Sequence, residues 1–324
     1  MSSLSRLAKF SWFVLVYNVG VIVFGAFVRA TGSGAGCGAH WPLCNGVVVP
    51  QSPALSTVIE FTHRVTSGIT ILLLAALVIW VWRTYPRGHL LRKTSGLSAF
   101  FIVTESLIGA GLVLFQLVEN EASVTRAISM AAHLVNTFLL LACLLLTSWW
   151  LTVGIPGEVH SKPLLRTLSS LGVIGLLVLG ASGAVTALGD TLFPSASLAE
   201  GLRQDLNESA HFLIRLRVLH PLIAILVGSY AAGFGLWLRG QVNSTALKTI
   251  ATTLAGLVGF QFILGGLNVI LLAPVWLQLV HLGMTTLIWL HFILVVVFAW
   301  VAPDFVVRIA EDKIHDRVNQ TASG

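Results

Sequence analysis

Long apolar stretches separated by short polar segments make up most of the chain. An α-helix needs about 20 mostly apolar residues to cross the hydrocarbon core of a bilayer. The pattern predicts eight membrane-spanning helices, near residues 11 to 30, 58 to 82, 96 to 118, 125 to 150, 165 to 188, 210 to 238, 247 to 272 and 276 to 301. The composition agrees, because 56% of the 324 residues are hydrophobic and only 10% are charged, as is typical of a polytopic membrane protein.

The two halves of the chain carry similar motifs. "GAFVRATGSGAG" near the end of the first span corresponds to "GASGAVTALGD" near the end of the fifth, which aligns Gly25 with Gly180. "ESLIGAGL" in the third span corresponds to "QFILGGLN" in the seventh. Because four spans return the chain to its starting side, both halves are expected to have the same orientation. The predicted fold is an all-α integral membrane protein of two parallel-oriented four-helix bundles, residues 1–155 and 156–324, related by an internal repeat.

Lysine and arginine are unevenly distributed between the two sides of this topology. One side collects most of them, at Arg6, Lys9, Arg83, Arg87, Arg92, Lys93, Lys162, Arg166, Arg239, Lys248, Arg308, Lys313 and Arg317. The other side collects arginines only, at Arg29, Arg64, Arg126, Arg203, Arg215 and Arg217. Cytoplasmic loops carry the excess of these residues, so we expect both termini in the cytoplasm. The net charge of +6 then reflects topology and not binding to nucleic acid.

Four histidines fall inside spans two, four, six and eight, namely His63, His133, His220 and His281. Under the repeat, His63 corresponds to His220, and His133 corresponds to His281. Each lies about five to ten residues from the outer end of its span, so at about 1.5 Å per residue all four have a similar depth in the outer half of the bilayer. A single buried histidine is often a packing residue, but four at matched positions favour a binding role.

A heme is the ligand that best fits two histidines on neighbouring helices. Its flat apolar macrocycle fills a bundle core, and two imidazoles can bind its iron from opposite faces. Zinc requires further ligands, and no third ligand recurs in both halves. The heme propionates need cations, for which Arg64, next to His63, and Arg217, one turn before His220, are candidates. Each arginine can equally be an interfacial anchor that reaches the lipid head groups.

The halves differ at the position three residues before the first histidine. Glu60 precedes His63, whereas the corresponding residue of the second half is Arg217. A carboxylate inside a membrane costs about 2.5–3.5 kcal/mol on insertion scales, so it is usually retained for pairing or for chemistry. Glu60 is therefore a candidate catalytic residue. The alternative is an ion pair between Glu60 and either Arg64 or Arg29.

The remaining candidates are one further acid and three cysteines. Glu105 lies within the third span, with Gln261 as its counterpart, and is expected to have a buried hydrogen-bonding role. Cys37 and Cys44 flank a turn in the first outer loop, where they can close a disulfide or act as a redox-active pair. Cys143 lies inside an apolar span and is expected to be a packing residue.

The chain resembles the bacterial heme A synthases across essentially all eight spans. The resemblance rests on "VRATGSGAGC", "HWPLCNG", "IEFTHR", "RVLHP", the "AHLVNT" span and the "VHLGMTT" span, which occur in the family's order in both halves. It implies an oxidoreductase of the prokaryotic plasma membrane that takes part in cytochrome oxidase assembly. Such an enzyme oxidises a ring methyl group of heme O to a formyl group, through successive hydroxylation and loss of water, and so provides heme A for terminal oxidases.

The resemblance also implies a role for each candidate residue. His63 and His133 would flank the substrate heme O in the amino-terminal half, where Glu60 would belong to the catalytic site. His220 and His281 would ligate a heme b in the carboxy-terminal half. Both heme sites would lie toward the outer face of the membrane.

The first outer loop resembles that of the cysteine-containing subgroup of the family. This implies a disulfide between Cys37 and Cys44. The second long outer loop, residues 189 to 209, contains no cysteine, so no second bridge is expected.

Two other classes of membrane protein share some of these features. A diheme b-type electron-transfer cytochrome would also carry histidine pairs, but one that moves electrons across the membrane would stack hemes at both leaflets. A transporter built from two repeats would have helices broken around a polar site at mid-membrane. The expected partners are heme O, the lipid bilayer and an electron donor, with heme O synthase and a second copy of the chain in a homo-oligomer as further candidates.

Overall fold

The computed structural model describes residues 4–51, 53–155 and 162–301. The helices are α1 (Arg6–Ala30), α2 (Leu55–Thr84), α3 (Leu90–Leu114), α4 (Val124–Val153), α5 (Pro163–Leu192), α6 (Leu198–Asp205), α7 (Phe212–Arg217), α8 (Leu219–Gln241), α9 (Thr245–Ile270) and α10 (Val275–Trp300). Eight segments, with α7 and α8 taken as one, are long and apolar enough to cross a membrane. The predicted all-α membrane fold with eight spans is therefore confirmed.

Helix α3 begins and ends several residues earlier in the chain than the apolar pattern predicts. The helix begins at Leu90 because the His89 imidazole accepts a hydrogen bond from the Leu91 amide at 3.4 Å. It ends at Leu114, and Gln116 just beyond it has a φ of 56°, which a continuing helix excludes. The predicted span, 96 to 118, lies four to six residues further along the chain than the helix, because hydropathy contains no information about helix caps.

The sixth span is divided into α7 and α8 by Pro221. A proline inside a helix has no amide proton to donate, and its ring clashes with the carbonyl group four residues earlier. That carbonyl belongs to Arg217, the residue at which α7 ends, and α8 begins again at Leu219. Arg217 and His220 therefore lie on either side of a break in the helix.

The spans pack as two four-helix bundles. In the first, α1 and α3 each contact both α2 and α4; in the second, α5 and α9 each contact both α8 and α10. The bundles meet through α1, α4, α5 and α10. The rings of Phe138 on α4 and Trp289 on α10 stack with centroids 5.2 Å apart, and the Trp289 indole donates to the Phe138 carbonyl at 2.7 Å. Both side chains are buried between the halves.

Arg29 joins the two halves at one end of the molecule. Its guanidinium donates to the Ala187 carbonyl and the Thr191 hydroxyl, each at 2.6 Å, and to the Gln278 side chain at 2.8 Å. Arg29 lies in the last turn of α1, and Ala187 and Thr191 lie near the end of α5. These contacts place α1 and α5 side by side with their carboxyl ends together, as the predicted parallel halves require.

Some of the sequence-based predictions fall on residues outside the described ranges. These are the predicted boundary between 155 and 156, together with Arg308, Lys313 and Arg317. The side of the membrane on which each terminus lies stays a prediction.

Candidate functional site

Each of the four intramembrane histidines lies against a glycine of the preceding spanning helix. A Cβ atom built on that glycine would approach the imidazole Cε1 atom, at 2.9 Å for Gly25 and His63, 3.8 Å for Gly109 and His133, 3.1 Å for Gly183 and His220, and 3.6 Å for Gly265 and His281. At Gly25 and Gly183 the absence of a side chain gives the ring its room, whereas at Gly109 and Gly265 a Cβ atom would make an ordinary van der Waals contact. The arrangement recurs in both pairs of helices of both bundles.

The glycine partners refine the register of the repeat. The sequence motifs align Gly25 with Gly180, but Gly180 contacts the Phe138 ring, where a Cβ atom would lie 2.8 Å from Cε2. Gly183, about one turn later, makes the contact with His220 that Gly25 makes with His63. Short glycine-rich motifs match in more than one register, and the packing of the histidine decides between them.

The structure places the two histidines of each predicted pair in the same bundle. His63 on α2 and His133 on α4 lie in the first bundle, and His220 on α8 and His281 on α10 lie in the second. Whether the two rings of a pair bind one ligand stays a prediction. Within the described residues, the buried Nδ1 atoms of His63, His133 and His281 have no hydrogen-bond partner, whereas Nδ1 of His220 lies 3.0 Å from the Ser182 hydroxyl.

The donor set suits the heme that the sequence predicts. Each bundle core presents two imidazoles, the usual ligands of a bis-histidine heme iron, amid apolar helices that suit the macrocycle. At His63, His133 and His281 the buried Nδ1 atom has no hydrogen-bond partner among the described residues, so hydrogen bonds at that nitrogen do not commit these rings to the chain. These residues therefore fit a heme in each half.

Glu60 binds the first outer loop and an arginine of its own helix. Its carboxylate is buried, with Oε1 2.5 Å from Nη2 of Arg64 and Oε2 accepting from the Cys37 amide at 2.7 Å. The same guanidinium donates through Nη1 to the carbonyl groups of His40 and Leu43, at 2.6 and 2.7 Å. The ion pair with Arg64, anticipated as the alternative role of Glu60, is thus formed. Whether Glu60 also acts in chemistry stays a prediction.

The loop held by Glu60 is closed by the predicted disulfide. Cys37 and Cys44 are bonded, with their Cα atoms 4.4 Å apart, and both are buried. The Thr57 hydroxyl at the start of α2 adds a bond to the Gly36 carbonyl at 2.6 Å. A Cβ atom at Gly36 would collide with the Ser56 backbone, so only glycine allows the loop to lie this close to α2. Cys143 is free and buried, as expected for a packing residue.

The second half holds its outer segment with the charges reversed. Arg217, at the position corresponding to Glu60, donates through Nε to Asp205 at 2.8 Å and through Nη1 to Asp190 at 3.2 Å. Asp205 ends α6, a helix inside the segment 189 to 209 that the sequence predicts as a loop. The sequence analysis did not predict a role for either aspartate. Two acids in the segments before an intramembrane arginine could have indicated ion pairs with that arginine.

Arg64 and Arg217 are predicted to bind heme propionates, but each is paired with a carboxylate of the chain. All three nitrogens of the Arg64 guanidinium donate to protein oxygen atoms. In Arg217, Nε and Nη1 donate, whereas Nη2 lies 2.6 Å from Oδ1 of Asp205 without forming a hydrogen bond. A propionate at either place would therefore share donors with a carboxylate of the chain. Propionate binding by these two arginines stays a prediction, and their observed contacts hold the outer segments onto α2 and α7.

Glu105 has the hydrogen-bonding role that the sequence predicts, although its side chain is partly and not fully buried. Its carboxylate accepts from the Asn136 amide at 2.6 Å and from the Thr137 hydroxyl at 2.5 Å, and Oε1 lies 3.5 Å from Nδ1 of His133. Its counterpart Gln261 donates to the Thr285 hydroxyl at 2.6 Å and to a backbone carbonyl at 3.1 Å. A carboxylate thus faces one histidine of the first half where an amide stands in the second.

Known proteins are similar in sequence to this chain. Residues 8–293 match the model of a protein family described as COX15-CtaA, cytochrome oxidase assembly protein. A Thermus thermophilus protein named protoheme IX farnesyltransferase is 50% identical over 289 residues, which are 89% of this chain and 48% of that protein. A heme A synthase of an Exiguobacterium species is 38% identical over 140 residues, 42% of this chain and 46% of that enzyme. A heme A synthase of Halalkalibacterium halodurans is 43% identical over 95 residues, 29% of this chain and 32% of that enzyme.

The match covers only part of the curated relatives, whereas the family model matches most of this chain. The chain spans about half the length of the Thermus relative that it matches over most of its own sequence. The match to the family model, by contrast, extends from α1 into α10 and includes all four histidines and Glu60.

Proposed function

Because this chain belongs to the COX15-CtaA family of cytochrome oxidase assembly proteins, we propose that it is a heme A synthase, an oxidoreductase that converts a methyl group of heme O to the formyl group of heme A. The observation that carries the proposal is the presence of two intramembrane histidines in each bundle, on α2 and α4 in the first and on α8 and α10 in the second. The similarity to proteins named heme A synthase supports the same conclusion.

The two halves have different tasks in this proposal. His63 and His133 hold the substrate heme O in the amino-terminal half, residues 1–155. His220 and His281 hold a resident heme b in the carboxy-terminal half, residues 156–324. The resident heme supplies one-electron chemistry when bound. The difference that supports this division is the carboxylate, since Glu60 precedes His63 by one turn and Glu105 lies beside His133, where the second half has Arg217 and Gln261.

Glu60 is proposed to act at the reacting edge of heme O. A carboxylate there can accept a proton or stabilise developing positive charge. Its bonds to Arg64 and to the Cys37 amide hold it in one orientation and hold the disulfide loop over the same end of the bundle. The loop then limits access of water to the site.

The site is proposed to face the outer side of a prokaryotic plasma membrane, with both termini in the cytoplasm. The support is the uneven distribution of lysine and arginine between the loops of the eight-span topology. A disulfide at the same end as Glu60 fits an oxidising compartment.

A protein that attaches a farnesyl group to heme is proposed as the source of the substrate. The Thermus relative is named for farnesyl transfer to protoheme IX, and about half of it lies outside the match to this chain. A farnesylated heme is the kind of molecule that a heme A synthase would receive. We therefore expect the supplier of heme O to act next to this chain, which also requires an electron donor.

Pigment extraction tests the function directly. Membranes from cells that make this chain together with a source of heme O should contain heme A, and membranes with the heme O source alone should not. Unconverted heme O in the presence of a fully heme-loaded protein would contradict the proposal and favour the diheme electron carrier. A protein that binds no heme at all would contradict both.

A further inference from the structure

The environment of His133 differs from that of every other intramembrane histidine. Oε1 of Glu105 lies 3.5 Å from Nδ1 of His133, too long for a hydrogen bond but close enough for a strong charge interaction. Among the described residues, the Nδ1 atoms of His63 and His281 have no polar partner, and that of His220 lies beside the neutral Ser182 hydroxyl. Only one of the four imidazoles therefore faces a carboxylate.

A network of neutral donors holds this carboxylate in position. The Asn136 amide donates to Oε2 of Glu105, and the Thr137 hydroxyl donates to Oε1. Asn136 is itself oriented, since its amide nitrogen also donates to the Phe101 carbonyl at 2.9 Å and its oxygen accepts from the Thr104 hydroxyl at 2.6 Å. Each oxygen atom of Glu105 thus lies within hydrogen-bond distance of a neutral side chain of α4. The network leaves the negative charge directed toward His133.

The second half replaces this acid with a neutral amide in the same relation to the histidine. Gln261 donates to the Thr285 hydroxyl, and Thr285 follows His281 by four residues, as Thr137 follows His133. The packing partner is therefore conserved between the halves of this one chain, while the charge is not. A need for buried hydrogen bonds alone would be met by glutamine in both places.

A carboxylate beside the outer nitrogen of an iron-bound imidazole makes that imidazole a stronger electron donor to the metal. A nearby negative charge also stabilises ferric iron relative to ferrous iron, which lowers the reduction potential. A neutral amide has neither effect. The difference between Glu105 and Gln261 thus predicts two hemes of unequal potential in one protein.

We propose that Glu105 is a positioning residue that places a negative charge beside Nδ1 of His133 and lowers the reduction potential of the heme held in the first half, relative to the heme held by His220 and His281. The inference rests on the proposed heme sites but not on the conversion of heme O. It assigns the first half an iron that is harder to reduce.

Reciprocal substitutions test the proposal in the full-length protein. Purified protein is loaded with hemin, and the midpoint potential of each heme is measured by spectroelectrochemical titration; the first-half component is the one absent from His63→Ala protein. Glu105→Gln should raise the potential of that component and leave the other unchanged. Gln261→Glu should lower the potential of the heme held by His220 and His281. Resonance Raman spectra should show the iron–histidine environment changing in the same half as the potential.

A matched variant separates this effect from simple loosening of the network. Thr104→Val removes the hydroxyl that binds Asn136 but keeps the carboxylate, so it should leave both potentials at the parent values even where it lowers stability. Where Glu105→Gln protein does not accumulate, Glu105→Asp withdraws the charge from His133 and should raise the same potential by a smaller amount.

The proposal would be overturned if the midpoint potentials were unchanged in both Glu105→Gln and Gln261→Glu protein. Equal shifts of the potential in Thr104→Val and Glu105→Gln protein would also overturn it. The proposed function fails separately, when the parent protein forms no heme A from heme O. The hemin titration does not depend on that reaction.

Discussion

At the scale of single residues, Glu60 and Arg217 show how one repeat position can carry opposite charges. Each lies one turn before the first histidine of its half, and each binds an outer segment: Glu60 holds the Cys37 amide, and Arg217 holds Asp190 and Asp205. Each charge is stabilised by its partners, and Arg64 keeps its bonds to the His40 and Leu43 carbonyls when Glu60 is replaced. What distinguishes Glu60 is that a carboxylate can exchange protons, which a guanidinium does not do.

The substitution Glu60→Gln should separate the chemical from the structural role of this acid. We expect the variant to keep its heme b and to form about 100-fold less heme A, or none, because residues that transfer protons contribute about 10²–10⁴-fold to rate. The measurement is heme A formed per heme b retained. Thr57→Val is the matched control, since it removes another bond to the same loop without changing a charge. A ratio equal to that of the parent would remove Glu60 from the chemistry, and an equal loss in both variants would assign it to loop anchoring.

The state of the cysteines can be read by thiol labelling. The disulfide between Cys37 and Cys44 leaves Cys143 as the free thiol of the three cysteines in the chain. Unreduced protein, denatured before labelling, should therefore gain one label per chain, and protein reduced beforehand should gain three. Three labels without reduction would argue against a stable bridge.

At the scale of helices, the same contact between a glycine and a histidine on neighbouring helices occurs at all four histidines. It occurs between α1 and α2, α3 and α4, α5 and α8, and α9 and α10. Small residues allow helices in a membrane to approach closely, and here the space is filled by an imidazole ring. The break before Pro221 adds a difference between the halves, because His220 follows it in the first turn of α8 while His63 lies within the continuous helix α2.

Filling this space in the second half should displace the resident heme. Gly183→Val would push side-chain atoms into the His220 ring, since even a Cβ atom would lie 3.1 Å from Cε1. Overpacking of this kind costs about 1–3 kcal/mol. We expect a lower heme b content per protein in the absorbance spectrum. Gly259→Val is the control, because nothing lies within 4 Å of a Cβ atom there. Equal heme loss in both variants would point to a general effect of valine in these helices.

At the scale of the whole molecule, two similar bundles are joined by contacts that are not symmetric. Arg29 of the first half binds three groups of the second, including the Ala187 carbonyl on the parallel helix α5. Hydrogen bonds from a charged donor are worth about 1.5–3 kcal/mol each, so this residue is a strong link between the halves. The stack of Phe138 on Trp289 forms a second link in the buried interface. Each half can therefore specialise without separating from the other.

Removal of both histidines from one half should reveal this division. The double variant His220→Ala and His281→Ala should lose the low-spin heme b spectrum, because no imidazole ligand remains in the second bundle. The double variant His63→Ala and His133→Ala should keep that spectrum and fail to form heme A. A resident heme that persists unchanged in the first variant would show that heme b is bound elsewhere.

The architecture could be read from the sequence because its causes are local. An apolar run of about 20 residues is sufficient to predict a membrane helix, and the all-α eight-span fold followed from that rule. Polar residues inside such runs are costly, so the histidines and Glu60 stood out without any knowledge of packing. The Cys37–Cys44 pairing followed from the family resemblance, and the structure contains this disulfide.

Only the tertiary structure decided which partners these residues have. It placed Gly183, not Gly180, against His220, and it directed the donors of Arg217 to Asp190 and Asp205 on segments far apart in the chain. It also aimed Glu105 at His133. These outcomes depend on how helices that are distant in sequence pack side by side, because a guanidinium or carboxylate takes whichever partner the neighbouring helix presents, and hydropathy along one chain contains no information about that neighbour.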